Sequence, residues 1–163
     1  MEETRVLPKP LSSPAGRNWS NIVQNGWTWD FQLSGTGSRA GCGYEASLAF
    51  SDNYPFAAPK LTFVTLTPGA VVQYHPNANN DGEVCPDSFG IGSGWAPAIK
   101  IDKILTQIEE TIVTPELTHA LRAELGVQYT ENRAAFNAAI QANIATQNTM
   151  ASQLIADIAR MRQ

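Results

Sequence analysis

Residues 74–85 read Tyr-His-Pro-Asn-Ala-Asn-Asn-Asp-Gly-Glu-Val-Cys. Cys85 stands eight positions after Asn77, the last residue of a His-Pro-Asn triplet. The cysteine follows Gly82 in a stretch that has no helix or strand pattern, and Pro86 directly after it opposes regular structure. An accessible loop thiol is more often reactive than a cysteine packed in a strand. The residues alone leave two interpretations of Cys85 open, a functional thiol or a small buried hydrophobe.

Short motifs on either side of this stretch complete a recognisable set. Tyr54-Pro55-Phe56 and Pro59 precede it, and Trp95-Ala96-Pro97-Ala98 follows it. In this order and at these spacings, the set resembles the signature of ubiquitin-conjugating enzymes. That family carries ubiquitin or a related modifier as a thioester on one cysteine. The resemblance covers roughly residues 27–144.

The resemblance implies a transferase and its partners. Cys85 would accept ubiquitin or a ubiquitin-like protein from an activating enzyme and pass it to a substrate lysine, usually with a ring-type ligase. A thiolate suits this task because it attacks a thioester readily and also leaves readily. No metal or organic cofactor is implied.

Three further residues stand at catalytic positions of the family: Asn77 and Asp87 match it, and His119 departs from it. Asn77 would support lysine attack by steadying an oxyanion or by ordering the loop, although an Asn after Pro76 also closes turns well. Asp87 would position or deprotonate the incoming amine, and an Asx turn is the competing interpretation. Counted from Trp95, His119 falls where many members carry an acid. A neutral imidazole there would accept a proton, or the residue has no role beyond the surface.

The remaining matches concern support of the site and partner binding. His75 and Pro76 are expected to be structural, with His75 hydrogen-bonded rather than a general base. Trp95 is expected to pack beneath the active-site loop. On the basis of the resemblance alone, the ligase contacts are assigned to Phe56, Pro97 and Ala98.

The composition excludes several classes of protein. The 163 residues include 11 basic and 15 acidic side chains, net charge -4, without a basic cluster that would bind nucleic acid. Apolar runs fall short of the roughly 20 residues of a membrane span, and the start lacks an apolar signal segment. Two cysteines, Cys42 and Cys85, do not form a disulfide scaffold, and Cys42 is expected to be a small buried hydrophobe. We therefore expect a protein without membrane or nucleic-acid partners that is cytoplasmic, or also nuclear in a eukaryote.

Hydrophobic periodicity predicts strands first and helices after them. Strict alternation indicates strands at 27–33 and 44–50, with further strands at 60–64 and near Val71–Val72. Apolar residues at helical spacing indicate a helix over 101–112, closed near Pro115. A second helix is predicted on Leu117, Leu121 and Leu125, ending near Gly126. A third, capped by Thr130, carries the Phe136–Ile144 stripe, with a break or fraying expected at 143–149.

This order predicts an α+β fold, a four-stranded antiparallel meander packed on helices. We expect one domain over 1–163. Its core spans about 18–145, after an extended leading segment at 1–17, and it ends in a helical extension at 146–163. Pro8, Pro10 and Pro14 exclude the amphipathic first helix with which most family members dock the activating enzyme.

Two rival functions remain open. An inactive variant of the same fold would bind ubiquitin without carrying it. A cysteine hydrolase would pair Cys85 with His75 or His119, and would need a Cys–His hydrogen bond and a third orienting group.

Overall fold

The computed structural model describes residues 16–40, 43–64 and 74–162. The predicted strand near Val71–Val72 and the expected burial of Cys42 lie outside the described residues. Within them, four strands form an antiparallel sheet in chain order, and three α-helices follow. The predicted α+β class and the meander are confirmed.

The strands pair each with the next in sequence. Trp19–Asn25 (β1) pairs with Thr28–Ser34 (β2), which pairs with Gly43–Ala49 (β3), which pairs with Lys60–Phe63 (β4). The predicted alternation holds in β2 and β3, where every second residue is buried. Trp27 is an exception to the pattern, because it lies in the β1–β2 turn and is exposed.

Strand β1 was not predicted from the sequence. Its register with β2 shifts between Ser20 and Val23, so its apolar residues do not alternate. Because β1 adds an edge strand beside β2, the described sheet has four strands.

The first helix follows the prediction. Helix α1 spans Ile101–Val113 and buries one apolar stripe, while Asp102 lies in its first turn, where the helix dipole favours an anion. It ends just before Pro115, as the sequence indicated.

The second and third helices differ from the prediction. Helix α2 spans Ala123–Glu131, so the predicted helix over 117–125 is wrong and Gly126 lies inside α2 rather than after its end. Helix α3 spans Arg133–Met161 without a break at 143–149. Its cap is Asn132, whose side chain accepts a hydrogen bond from the Ala135 N–H at 3.1 Å, and not Thr130.

One hydrophobic core joins the sheet to the helices. It contains the inner faces of β2–β4, the buried stripe of α1, and Phe136, Ile140 and Ile144 of α3. Phe89, just after Cys85 in sequence, is fully buried and packs edge-to-face on Phe63 at 6.1 Å between ring centroids. The loop that carries Cys85 is therefore anchored directly to the core.

Candidate active site

The 77–85 stretch is tied to β4 by backbone hydrogen bonds. The Phe63 N–H donates to the Gly82 carbonyl at 2.8 Å, and Thr62 forms an isolated bridge with Glu83. Gly82 has φ 85°, and a Cβ at this position would lie 2.0 Å from the Phe63 carbonyl oxygen. Only glycine allows this close approach without displacement of the loop.

Backbone pairing places Cys85 next to Asn77. Ala78 bridges Val84, and the Cys85 N–H donates to the Asn77 carbonyl at 3.3 Å. Cys85 caps a short 3-10 helix over Pro86–Phe89, and its thiol is half-buried and forms no disulfide. The predicted nucleophile is therefore held on a folded loop and remains in reach of solvent.

The Asn77 side chain is fully buried and saturated with hydrogen bonds. Its amide N–H₂ donates to Ser88 Oγ at 2.8 Å and to the carbonyls of Glu116 at 2.5 Å and His119 at 3.3 Å. Its amide oxygen accepts from the Glu116 N–H at 3.0 Å. Because both amide hydrogens are engaged, Asn77 joins the Cys85 loop to the 116–119 loop and has no free N–H for an oxyanion.

His75 has the structural environment that the sequence indicated. It is 1% exposed, its Nε2 bonds to the Thr111 carbonyl at 2.9 Å, and its Nδ1 accepts from the Asn77 N–H at 3.1 Å. Burial, reinforced by the nearby Arg39 charge, lowers the pKa of His75 to about 3. His75 is thus neutral with its proton on Nε2, and neither nitrogen is available to Cys85.

Pro76 adds a second tie behind the site. Its ring is buried, and its carbonyl accepts a hydrogen bond from the Arg122 N–H at 3.0 Å. This bond fixes the triplet to the residue that precedes α2.

Asp87 is exposed and organises the next loop. Its Oδ1 accepts from the Ser93 N–H at 2.6 Å and from the Ser93 hydroxyl at 2.7 Å. These hydrogen bonds, with a smaller contribution from the charge of His119, lower the pKa of Asp87 below its usual value. The carboxylate is therefore ionised and bonded to a residue six positions on, whereas an Asx turn would engage the backbone two positions on.

His119 lies on the surface as part of a pair with Glu116. Its Nδ1 and its backbone N–H both bond to Glu116 Oε2, at 2.5 and 3.0 Å. Burial raises the pKa of Glu116, but hydrogen bonds from Thr118 and His119 outweigh it and lower that pKa to about 2. An ionised Glu116 orients the imidazole with Nδ1–H as donor and leaves Nε2 as the proton acceptor.

Asp87 and His119 line one depression of about 380 Å³, together with Lys103 and Gln107. Residues 32 positions apart in sequence are thereby brought to one side of the Cys85 loop. The depression brings together an acid, a base and a cation, and Asp87 is two positions after Cys85 in sequence, although Cys85 does not line the depression.

The predicted partner residues lie on two exposed loops that Trp95 joins. Phe56 is 81% exposed, and Pro97 and Ala98 are also exposed. Trp95 Nε1 donates to the Pro55 carbonyl at 2.8 Å, and its ring packs on Tyr54 at 6.2 Å. The Trp95 side chain thus contacts the 54–56 loop and also packs against the hydrophobic core, and its expected position beneath the Cys85 loop stays a prediction.

Comparison with known proteins decides the family. The model of the family described as "Ubiquitin-conjugating enzyme" matches residues 10–144, most of the chain. The chain belongs to the ubiquitin-conjugating enzyme family. This membership makes it a ubiquitin-conjugating-type transferase.

Individual relatives agree with the family model. A probable ubiquitin-conjugating enzyme E2 31 of Arabidopsis thaliana is 30% identical over 138 residues, covering 84% of this chain and 82% of the relative. A crystal structure of a putative ubiquitin conjugating enzyme from Plasmodium yoelii aligns with a TM-score of 0.61 at 26% identity, covering 75% of this chain and 76% of the other. The fold and the family resemblance are thus confirmed.

Three residues of this ubiquitin-conjugating-type site escaped the sequence prediction. Ser88 accepts a hydrogen bond from Asn77, the Thr111 hydroxyl donates to the Ser88 carbonyl at 3.0 Å, and Glu116 holds His119. Only the i, i+3 spacing of Glu116 and His119 could have indicated that pair. The other two contacts join segments far apart in sequence.

Two searches of the described part of the chain gave negative findings. No group of three or more His, Cys, Asp or Glu side chains is placed to hold a metal ion. No helix there is both long and apolar enough to cross a membrane.

Proposed function

We propose that Cys85 accepts ubiquitin or a ubiquitin-like modifier as a thioester from an activating enzyme and passes it to a substrate lysine. The observation that carries the proposal is the half-buried, unpaired Cys85 thiol on a loop fixed by Asn77, in a chain of this family. A carrier thiol must stay reduced, and for this reason we also propose a cytoplasmic location.

Loading is a thioester exchange. The Cys85 sulfur attacks the carbonyl carbon of the modifier's C-terminal glycine, a new C–S bond forms, and the C–S bond to the activating enzyme breaks. The departing thiolate takes up the proton that Cys85 lost. Because a thioester replaces a thioester, this step needs little help from neighbouring acids and bases.

Discharge to lysine has a greater need for the neighbouring residues. The lysine nitrogen attacks the same carbonyl carbon, a C–N bond forms, and the C–S bond to Cys85 breaks. The ionised Asp87 lines the same depression and attracts the incoming lysine ammonium, which gives up one proton to solvent before its neutral nitrogen attacks. After the C–N bond forms, the nitrogen loses a second proton, which His119 Nε2 is free to accept because Glu116 occupies Nδ1.

The exposed 56 and 97–98 loops support the proposal of a ring-type ligase as partner. An aromatic side chain that is 81% exposed costs little stability when removed, so Phe56→Ala should leave loading unchanged. It should abolish only the stimulation of discharge by a ring-type ligase. If stimulation persists in Phe56→Ala, the ligase does not bind at this loop.

The direct test is a loading assay with activating enzyme, ATP and modifier, read on non-reducing gels. A thiol-sensitive adduct that requires Cys85 supports the carrier function. Binding of ubiquitin without an adduct would assign the chain to inactive modifier-binding variants. Cleavage of the modifier without ATP would indicate a hydrolase. The structure does not favour a Cys85–His75 pair, because both His75 nitrogens are hydrogen-bonded to other groups.

The role of His119 is tested by discharge of pre-loaded enzyme to free lysine. His119→Ala should slow discharge and leave the loading of Cys85 unchanged, because a proton acceptor is needed when lysine attacks and not when one thioester replaces another. Equal discharge rates for the two proteins would exclude His119 from the reaction.

A further inference from the structure

The C-terminal half of helix α3 extends beyond the core with an apolar face uncovered. The buried part of the helix ends at Ile144, yet the helix continues to Met161. Leu154 is 51% exposed, Ile155 68% and Met161 78%. At 1.5 Å per residue, the segment from 147 to 161, here called the overhang, is about 22 Å long.

The exposed apolar face continues the buried stripe of the same helix. Apolar or half-buried residues recur in steps of four and three, which keeps them on one face of the helix. The series consists of Ile140, Ile144, Gln147, Ala151, Leu154, Ile158 and Met161. Its first members pack on the protein's own core, and its last members have nothing described against them.

The spacing and the charges indicate another helix as the occupant. A repeat of 3.5 residues is the seam by which two helices pack side by side. Between 145 and 162 the charged residues are Asp157, Arg160 and Arg162, and Asp157 is already paired with Arg160. A lipid surface is disfavoured because the opposite face is built mainly of Ser, Gln, Thr and Ala rather than Lys and Arg.

We infer that the occupant is the overhang of a second copy, packed antiparallel about a two-fold axis. The seam lies on the face that, before residue 147, contacts the protein's own core, so a parallel helix would bring its own domain into collision there. An antiparallel helix brings its domain to the opposite end. Equal lengths then let each overhang cover the other, as a closed two-fold interface requires.

This interface is short, and we expect a weak dimer. Specific interfaces begin at about 1,000 Å² of total buried surface, and a single pair of overhangs lies near or below that limit. The helix is already nucleated by its packed first half, so association does not have to form it anew. Dimer should therefore accumulate with concentration rather than persist on dilution.

Sedimentation velocity of the full chain over a wide concentration range tests the inference. Wild type should shift toward twice 17.7 kDa as its concentration rises. The double variant Leu154→Glu/Ile158→Glu should stay monomeric, and both positions are exposed, so its fold should be unchanged. The matched control Ser152→Glu/Ala156→Glu adds the same charges at the same spacing on the opposite, exposed face and should dimerise like wild type.

Single introduced cysteines test the orientation in a Cys42→Ser/Cys85→Ser background. Leu154→Cys, near the middle of the overhang, should oxidise readily to a disulfide dimer. Met161→Cys should not, because antiparallel pairing holds the two ends about 20 Å apart. Rapid cross-linking of Met161→Cys would overturn the antiparallel arrangement.

Two further outcomes would overturn the inference as a whole. One is a wild type that remains monomeric at every concentration. Flotation of that monomer with phosphatidylcholine–phosphatidylserine vesicles would then assign the apolar face to a lipid surface instead. The other is a Leu154→Glu/Ile158→Glu variant that dimerises as well as the control.

Discussion

At the scale of single residues, Asn77 shows how a buried amide can serve a surface reaction. Its side chain contacts Ser88, Glu116 and His119, and so positions the loop that carries the predicted base. An amide so engaged acts on the chemistry through its neighbours. Its effect on catalysis should depend on those neighbours being intact.

We predict that Asn77→Ala slows lysine discharge far more than loading of Cys85, and destabilises the fold by about 2–3 kcal/mol because buried partners lose their hydrogen bonds. In a double-mutant cycle with His119→Ala, the two losses in discharge should not add, since one acts through the other. Circular dichroism and the loading rate serve as controls for folding. Additive losses would instead indicate that Asn77 stabilises the oxyanion directly.

His75 should make the stability of the fold sensitive to acid. Its pKa is about 3 in the folded protein and near 6.5 when unfolded, so the unfolded state binds more protons between these values. The stabilisation is complete above about pH 6.5 and is lost as pH falls toward 3, by up to about 1.4 kcal/mol per pH unit.

Urea unfolding at several pH values measures this effect. His75→Gln keeps an N–H donor for Thr111 and does not titrate, so its stability should decline less steeply between about pH 6.5 and 4.5. Parallel slopes for the two proteins would show that His75 does not take up the proton.

The sequence indicates candidate site residues but not the contacts that they make. Cys85, Asn77 and His75 are recognisable because short-range spacing marks them. Glu116 and Thr111 act through hydrogen bonds to residues 39 and 23 positions away, which only the folded chain brings together. No local pattern records such a pair.

At the scale of elements, departures from periodicity have local causes. Leu117 and Leu121 have helical spacing but are exposed, because Asn77 holds the backbone at 116 and 119 in a loop. Thr130 bonds to the Gly126 carbonyl within α2, which leaves Asn132 to cap α3. Helix α3 starts in the Ala-rich stretch 134–142 and continues through 143–149, although that segment itself holds one alanine.

Two glycines differ in whether the fold requires them: Gly82 is required by its backbone conformation, and Gly126 is replaceable. Gly82→Ala should destabilise the fold by about 2 kcal/mol or more, because its φ is 85° and a Cβ would meet the Phe63 carbonyl. Gly126→Ala should stabilise it by about 0.5–1 kcal/mol, since it lies inside α2 and a Cβ would meet only side-chain atoms at 3.7 Å or more. Chemical unfolding measures both, and the same sign for both changes would contradict this assignment.

At the scale of the whole molecule, the sheet and α1 hold the Cys85 loop. The loops that carry Phe56 and Pro97 are exposed. Trp95 links the 54–56 loop to the loop that carries Trp95 itself. A partner that binds there therefore contacts one connected surface rather than separate side chains. The α+β order of elements was predictable because the change of hydrophobic period is strong. Strand β1 was not, since its irregular pairing removes the alternation.

The central claim is that Cys85 carries the modifier as a thioester. Intact-mass measurement after incubation with activating enzyme, ATP and modifier tests it most directly, with Cys42→Ser as the matched control. Wild type and Cys42→Ser should each gain one modifier less one water, in a bond that a thiol reductant cleaves. Cys85→Ser should give at most a reductant-stable oxyester, and Cys85→Ala nothing. A thiol-labile adduct on Cys85→Ala, or its loss in Cys42→Ser, would contradict the account.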